Sequence, residues 1–431
     1  MIKIGIVSLG CAKNLVDSEM ILGMLKEGNY EIVNDPSKAD GIIVNTCGFI
    51  DAAKEEAINT ILEMAQYHKK LIVVGCLVQR YEQELKEQIP EVDLFVSIKD
   101  YPTINAKINA LFNDDSLKEG LCPMHRVIST PSFTAYLKIS EGCNNCCTYC
   151  AIPLIRGSFR SFPLKNLIEE AKMLAKNGAK ELVVISQDTT RYGSDFKDGT
   201  TIVTLLKELL KIKELEYIRM LYLYPNEVSD ELLQLMNDEP RLTPYFDLPI
   251  QHASSRILKA MNRRGDKEFL KELFDRTRRI IKNPTLRTTV IVGFPGETEE
   301  DFEELLEFIQ EIKFDHLGAF TYSKEENTVA DKMDNQVDEK VKKARLNRLM
   351  RVQQKISYDL NKKRIGEVME GLVVAKNLKN GEYEFRSGWN APDDVDGKII
   401  ITSDEPLKIG QKVTVKITNA FSYDLYGIKL N

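Results

Sequence analysis

Cysteines carry the chemistry that this chain could perform. Residues 143–150 read Cys-Asn-Asn-Cys-Cys-Thr-Tyr-Cys. Taken as Cys143, Cys147 and Cys150, they form C-x3-C-x2-C, three thiolates in one short loop. Thiolate ligands suit iron–sulfur clusters or zinc. Three of them leave one corner of a four-iron cubane without a protein ligand, and that corner is open to a small molecule. Zinc would need a fourth protein ligand. Cys146 could supply one, but two C-x2-C halves would then abut with no loop between them, and no histidine lies nearby. Zinc ribbons separate such halves so that the ligands converge. The cluster reading is therefore favoured, and Cys146 is better read as a bystander thiol than as a ligand.

A second trio is scattered through the first part of the chain. Cys11, Cys47 and Cys76 each sit just past a short apolar, β-branched run, at residues 3–8, 41–45 and 71–74. Such runs alternate here with helical patterns at 17–26, 54–67 and 79–88, which predicts an open parallel α/β sheet. The carboxyl ends of parallel strands line one crevice, where ligands bind. Three thiols at that edge predict a second cluster, again with one open iron. The other reading is three buried cysteines behaving as small hydrophobes. Gly10, Gly48 and Gly75 favour a site, because glycine allows a bulky ligand to approach the backbone. Cys122 falls in a polar stretch and has no predicted partner.

The elements that must position these trios follow from pattern and composition. The chain has 431 residues and 43% hydrophobic content, enough for two to three domains. Its net charge of −6 argues against nucleic-acid binding by bulk charge alone. The N-terminus reads as a strand rather than a signal peptide, and no apolar run approaches a membrane span. A cytosolic location is expected, so the eight cysteines are metal ligands or free thiols rather than disulfides.

Three domains are expected. Residues 1–117 form the open α/β sheet, followed by a linker at 118–131. Residues 132–361 hold six strand patterns, at 134–140, 181–186, 217–223, 245–250, 287–292 and 317–322, with helices between them. That succession predicts a partial β/α barrel, in which chemistry sits in loops at the strand ends. A helix at 338–361 carries Val341, Leu349, Val352, Ile356 and Leu360 on one face. Its other face is basic: Lys342, Lys343, Arg345, Arg348 and Arg351. Residues 362–431 carry short strands at 372–375, 383–386, 398–402 and 412–418 between turn signals, which predicts a small antiparallel β-barrel.

The cysteine loop, with an aromatic residue before its last cysteine, resembles that of the radical S-adenosylmethionine superfamily. The whole chain resembles its methylthiotransferases, which join a three-cysteine domain, a radical core and a TRAM barrel. Residues 8–19 (Ser-Leu-Gly-Cys-Ala-Lys-Asn-Leu-Val-Asp-Ser-Glu), 44–50 (Val-Asn-Thr-Cys-Gly-Phe-Ile) and 186–193 (Ser-Gln-Asp-Thr-Thr-Arg-Tyr-Gly) are similar to the branch that modifies a ribosomal protein. The transfer-RNA branch has Gln-Met-Asn after its first cysteine, where this chain has Ala12-Lys13-Asn14.

That resemblance implies two four-iron clusters and S-adenosylmethionine as cofactors. Cys143, Cys147 and Cys150 would hold the cluster that cleaves S-adenosylmethionine. Cys11, Cys47 and Cys76 would hold an auxiliary cluster that carries sulfur. It further implies methylthiolation of the β-carbon of an aspartate in small-subunit ribosomal protein S-twelve, free or in the assembled subunit. A flavodoxin or ferredoxin would serve as electron donor. An unactivated C–H bond is beyond acid–base groups at neutral pH, so a radical cofactor must supply the power. No side chain is assigned as a catalytic acid or base.

Other signals are weaker. Residues 293–298 (Gly-Phe-Pro-Gly-Glu-Thr) resemble the loop that contacts the cosubstrate, which would place Gly293 there. They read equally well as a tight turn opening a helix. Tyr149 either faces adenine or packs, and Gln187 and Asp188 end a strand on the expected active face. His252 is given no role. The basic helix face reads as solvated, with contact to ribosomal RNA as the alternative. The terminal segment is nearly balanced, with about 11 basic and 10 acidic residues and an acidic cluster at Asp393, Asp394 and Asp396. That balance favours a protein target over transfer RNA. Methylthiolation of a transfer-RNA adenosine, a two-cluster electron carrier and a zinc-stabilised RNA-binding protein are the competing readings.

Overall fold

A computed structural model describes residues 1–392 and 395–430. The first sheet consists of β1 (Ile2–Ser8), β2 (Tyr30–Ile32), β3 (Gly41–Thr46), β4 (Lys70–Gly75) and β5 (Leu94–Ser97). All neighbours are parallel, in the order β2-β1-β3-β4-β5. The middle strands are continuous apolar runs because helices cover both faces. This is the flavodoxin-like strand order, with its switch point between β1 and β3, where a crevice opens at the carboxyl ends. The chain leaves those ends into α1 (Ala12–Glu27), α2 (Asp51–Ala65) and α3 (Cys76–Gln88), and α4 (Ile104–Phe112) completes the layer.

The second unit contains β6 (Thr134–Lys138), β7 (Ser140–Glu141), β8 (Arg160–Ser161), β9 (Glu181–Ile185), β10 (Tyr217–Met220), β11 (Tyr245–Asp247), β12 (Thr285–Val292) and β13 (His316–Thr321). The strands β10-β9-β6 and β11-β12-β13 form two parallel sheets. A parallel bridge from Ile218 to Leu242 joins them. The result is the expected open six-stranded barrel, with its helices packed outside. The short α5 (Ile152–Arg156) follows the cysteine loop. The lumen is filled rather than hollow. Tyr136, Val183, Ile185, Leu221 and Tyr245 pack there against Ala12 and Val16 of α1. The first helix of the N-terminal sheet is therefore part of the core of the second unit.

The last strands are β14 (Val368–Lys376), β15 (Tyr383–Ser387), β16 (Ile399–Thr402), β17 (Lys412–Ala420) and β18 (Leu425–Lys429). They close a barrel in the order β14-β15-β16-β18-β17 around Val373, Phe385, Ile399, Val415 and Leu425. One pairing, β16 with β18, is parallel, so the barrel is not purely antiparallel as expected.

Charged residues moor this barrel to the beginnings of the core strands, away from the cysteine loop. Glu181 accepts from Arg219 at 3.1 Å and from Arg386 at 2.8 Å. Arg219 also donates to the Ser387 carbonyl at 2.7 Å. The Asp396 side chain is wholly buried, accepts from Tyr245 Oη at 2.6 Å and lies 3.3 Å from Arg287 Nε. It does not belong to an exposed acidic cluster, and Asp393 and Asp394 lie outside the described residues. Burial would raise the Asp396 pKa, but His316 and Arg287 outweigh it and hold the carboxyl below its ordinary value. Its contribution is therefore present above the ordinary aspartate range and fades as pH falls through the lowered pKa. Asp396→Ala is expected to cost about 3 kcal/mol, because it leaves the Tyr245 hydroxyl and the Ala391 amide without their acceptor and removes one of the two carboxylates beside Arg287, which keeps Asp247. Urea unfolding of the apo chain at several pH values checks this, and the variant should lose part of the wild type's acid sensitivity.

Other expectations change in detail. β2, β5 and β18 were not expected, and α1 and α3 start earlier than their apolar patterns do. The basic face of the long helix Glu339–Lys363 is only partly solvated. Lys342 is buried and donates to the Tyr322 carbonyl at 3.1 Å, and Arg345 is buried against Glu297 at 2.9 Å. Arg348 pairs with Glu299 at 3.1 Å. Lys342 and Arg345 hold the helix to the core and are not offered to nucleic acid, whereas Arg348 stays exposed. Among the described residues, no helix is long and apolar enough to cross a membrane.

Candidate functional site

Both cysteine trios lie at the carboxyl ends of parallel strands. Cys143, Cys147 and Cys150 occupy the loop after β6 and β7, and neighbours fasten that loop on several sides. The Cys143 amide donates to the Gly157 carbonyl at 3.2 Å, and the Cys150 amide to the Cys147 carbonyl at 3.0 Å. Thr148 donates its amide to the Met261 carbonyl at 3.1 Å. Asn145 is held twice, by Asp188 at 2.7 Å and by Arg191 at 2.7 Å. Cys146 adopts a left-handed backbone with φ 50° and is exposed, while the other three cysteines are half-buried. Cys11 of the other trio is exposed as well, so exposure alone does not separate a ligand from a bystander.

The second trio is drawn together by loop contacts. A Cβ on Gly10 would lie 2.8 Å from Cys47 Cβ, and one on Gly48 would lie 2.8 Å from Leu77 Cα, directly after Cys76. These glycines let one cysteine loop press on another. They do not open space for a ligand, as the sequence reading proposed, and Gly75 likewise faces Asn45 and Thr46. Asn14 bridges the loops, donating to the Leu9 carbonyl at 3.1 Å and the Thr46 carbonyl at 2.9 Å.

The thiols suit a metal cluster electrostatically. Burial pushes the Cys150 thiol up to about 12, aided by charge on Cys147. Burial likewise pushes Cys47 up to about 11, aided by Cys76 and Cys11. A cationic iron cluster relieves both penalties, since the thiolate is the ligand. Cys11 is the exception. Partial desolvation would raise its pKa, but Lys13, the Asn14 amide and Arg156 outweigh that and lower it. Among the described residues, no three ligand-type side chains converge closely enough to cage a single metal ion. Thiolates around one zinc sit about 4 Å apart, given bonds near 2.3 Å.

One arginine ties the helix that follows the first trio to the second trio. Arg156 ends α5, six residues after Cys150 in the chain, and reaches across to the N-terminal sheet. Its guanidinium donates to Cys76 Sγ at 3.4 Å and to Asp17 at 2.7 Å, and it also contacts Asn14 Oδ1. Lys138 pairs with Asp17 and, at 3.0 Å, with Glu141. Glu141 would be raised by burial, but Lys138 and Arg156 hold it down at about 2. Arg156 and Lys138 thus tie the segment around the first trio to Asp17 and Cys76 of the N-terminal unit. On the other side of the loop, Arg263 lies 3.9 Å from Cys147 Sγ and stacks 4.2 Å from the Tyr224 ring centre. Sequence reasoning missed Lys13, Glu141, Arg156 and Arg263. Arg156 was visible only as the lone charge in Ala-Ile-Pro-Leu-Ile-Arg, residues 151–156.

The weaker candidates divide. Gln187 donates to Glu141 at 3.3 Å, and its Oε1 is buried without a partner, as a group awaiting a ligand would be. Asp188 is buried and already holds Asn145 and Thr190, at 2.7 and 3.0 Å, so it braces the cysteine loop. The Tyr149 ring packs with Ile257, Met261, Phe294 and Tyr322. Gly293 has φ 74° and abuts Lys342, and its amide donates to Glu297 at 2.7 Å. Thr298 caps the following helix Glu299–Ile312 through a reciprocal bond with Asp301. That loop is a self-closed helix-opening turn. His252 is buried, accepts from the Ser254 amide at 2.9 Å and lies 3.5 Å from Glu297, a structural role.

Three family profiles match the chain. Uncharacterized protein family UPF0004 covers residues 3–97, the Radical SAM superfamily 137–309 and the TRAM domain 365–428. The chain is similar to ribosomal protein uS12 methylthiotransferase RimO of Clostridium novyi, with 46% identity over 441 aligned positions, 99% of this chain and 98% of that one. The RimO of Desulforamulus reducens is 47% identical over 441 positions and 99% of both chains. Among solved structures, radical S-adenosylmethionine methyltransferase TsrM of Kitasatospora setae aligns with a TM-score of 0.55. It covers 74% of this chain and 72% of its own, at 12% identity. The cobalamin-dependent enzyme OxsB aligns at 0.53, with 13% identity and coverage of 82% and 56%. These two likenesses concern the fold alone.

Proposed function

The chain belongs to the RimO family of ribosomal protein uS12 methylthiotransferases, and from that membership we propose that it places a methylthio group on the β-carbon of an aspartate of uS12. Cys143, Cys147 and Cys150 would hold a four-iron cluster together with S-adenosylmethionine, and Cys11, Cys47 and Cys76 an auxiliary four-iron cluster. When bound, the first group supplies one-electron cleavage of the sulfonium, and the second carries the sulfur to be transferred.

The chain's own residues hold, orient and shield. Asp188, Arg191 and Asn262 fix the loop of the first trio through Asn145 and the Cys146 carbonyl, the last at 2.9 Å. Asn14 and Arg156 fix the second trio against the first. The filled lumen beneath them, built from Tyr136, Leu221, Tyr245 and α1, keeps bulk water from the strand ends. Gln187 is the group we assign to the cosubstrate, through its unpartnered Oε1. A flavodoxin or ferredoxin would supply electrons, and the protein would act in the cytosol.

The observation that carries this reading is that the helix directly after the first trio packs Ala151 and Ile155 on Cys76 of the second, with Arg156 donating to that sulfur. A single-cluster enzyme needs no such bridge. Anaerobic incubation of reconstituted protein with S-adenosylmethionine, a reductant and either purified uS12 or transfer RNA tests it. The expected result is a gain of one methylthio group in place of one hydrogen on a uS12 aspartate, located by peptide mass spectrometry. Modification of a transfer-RNA nucleoside with uS12 untouched would overturn the substrate. Absence of 5′-deoxyadenosine in every arm would overturn the chemistry.

A further inference from the structure

The core reaches the N-terminal unit a second time through residues 323–329, which follow β13. Both ends of this segment are seated in the core, where Tyr322 and Ala330 are buried with Phe294 and Ile257. The Ala330 amide also donates to the Thr148 carbonyl at 2.8 Å, within the cysteine loop of the first trio. Between these anchors Glu325 and Thr328 are buried, whereas Lys324, Glu326, Asn327 and Val329 are exposed. Thr328 turns back on the segment itself, its hydroxyl donating to the Glu325 carbonyl at 2.7 Å. The Glu325 carboxylate is what fastens the segment outward. It accepts from Arg80 of α3 at 2.9 Å, from Lys54 of α2 at 3.2 Å and from Ser323 at 2.7 Å. Arg80 donates further to the Glu326 carbonyl at 3.3 Å and to the Gly48 carbonyl at 2.8 Å, directly after Cys47 of the second trio. Asp51 shares Lys54, so the charges of this group balance. The segment therefore spans from the loop of one trio to the loop of the other.

The two junctions between the units differ in kind. At the first, Ala12 and Val16 of α1 sit among core side chains, and Arg126 joins Glu19 of α1 to Glu170 of the core in full burial. Parting the units there would expose apolar surface and strand buried charges. At the second, among the described residues, none from 323–329 enters an apolar cluster of the N-terminal unit. Its one large apolar side chain, Val329, is 60% exposed. Charged groups on a surface segment can exchange their partners for water, so this segment can lift at far lower cost than α1 can leave its seat.

Building on the functional reading above, we propose that residues 323–329 are a flap over the space between the trios, latched by Glu325 on Arg80 and Lys54, and that the protein substrate enters by release of this latch. A side chain that is still part of an intact protein must reach the space between the trios with its backbone attached, and a fastened roof blocks that path. Tyr322 and Ala330 remain seated and act as the hinge points, while α1 holds the two units in register. Closure between turnovers keeps water from the reacting groups.

The test compares cluster-loaded wild type, Glu325→Gln and Lys54→Met by amide hydrogen exchange without substrate and by stopped-flow association with purified uS12. Exchange across residues 323–329 should be roughly 10- to 100-fold faster in Glu325→Gln, the range for weakening a hydrogen bond to a charged group. Exchange across α1 should not change. Association with uS12 should become faster in the same variant, because more molecules stand open. Lys54→Met should shift both readings in the same direction by less, since Arg80 still holds Glu325. Combining the two changes should give less than the sum of the single effects. Iron and sulfide content should be the same in all variants. Unchanged exchange across 323–329 would overturn the proposal, as would faster exchange with unchanged or slower association. Loss of iron from Glu325→Gln would also overturn it, since the contact would then serve to brace the second trio. Failure of wild type to methylthiolate uS12 is a separate result and counts against the functional reading instead.

Discussion

Cys147→Ala should produce no 5′-deoxyadenosine and no modified uS12, and its iron should fall by about half. Wild type is expected to carry about eight irons per chain, from two four-iron cubanes. Cys147 belongs to a loop braced by Asn145, Thr148 and Asn262, so the fold should survive the change. Cys47→Ala should also lose about half of the iron, but from the other trio. It should still cleave S-adenosylmethionine, because the loop after β6 is intact, and it should transfer no sulfur. The two variants together separate the roles of the trios. Anaerobic iron and sulfide analysis, with chromatography of 5′-deoxyadenosine, reads both. Cys146→Ala, by contrast, should retain the iron content of wild type.

Arg156→Met should be the most destabilising single change outside the cysteines. It leaves Asp17 and Glu141 sharing only Lys138 in a buried site and strips the donor from Cys76 Sγ. Removing one partner from a buried ionic network costs on the order of 3–5 kcal/mol. The loss should appear in urea unfolding of the apo chain, before any cluster is added. Arg156→Lys keeps the charge but loses the planar fork that serves Asp17, Asn14 and Cys76 together, so it should recover only part of the loss. In the loaded protein, the auxiliary trio should lose iron before the first trio does. Equal stability of Arg156→Met and wild type would show that the bridge between the trios is incidental.

The parts legible in the sequence were those with strong periodicity or rare residue types. β3 and β4 are buried on both faces and read as apolar runs rich in β-branched residues, and β1 carries Ile2, Ile4, Ile6 and Val7, so their ends, and the cysteines beyond them, could be placed. The six core strands were legible as short apolar stretches recurring between helical patterns. β2 has three residues and β5 has four, too few to show a pattern. β18 carries Gly427, whose missing side chain lets Val415 and Lys416 approach, and glycine reads as a turn signal. The starts of α1 and α3 were hidden because neither has a capping side chain. Cys11 and Gly75 stand at those positions, and neither caps. Sequence logic therefore put Cys76 in a loop, whereas it opens a helix.

The candidate site was legible as a set of ligands and opaque as a scaffold. Six cysteines announce themselves by spacing and by strand ends. Lys13, Glu141 and Arg156 do not, because their partners are distant in the chain: Lys13 meets Ser186, and Arg156 meets Asn14 and Asp17. A charged residue in an apolar stretch is the only local sign of such a role, and it does not name the partner. The basic helix shows the converse. Lys342 and Arg345 looked exposed by helical spacing, yet Tyr322 and Glu297 draw them inward. Periodicity reports which face is polar, and it cannot distinguish a solvated face from one sealed by ion pairs.

The central claim is that each trio of thiolates holds a cluster with one iron free of protein ligands. Mössbauer spectroscopy of anaerobically prepared, isotopically enriched protein, with and without S-adenosylmethionine, addresses it most directly. Two four-iron clusters are predicted, each with one iron site distinct from its three thiolate-bound partners, and S-adenosylmethionine should shift that site in the cluster of Cys143, Cys147 and Cys150. A single cluster, or two clusters whose four irons are all ligated by the protein, would contradict the account.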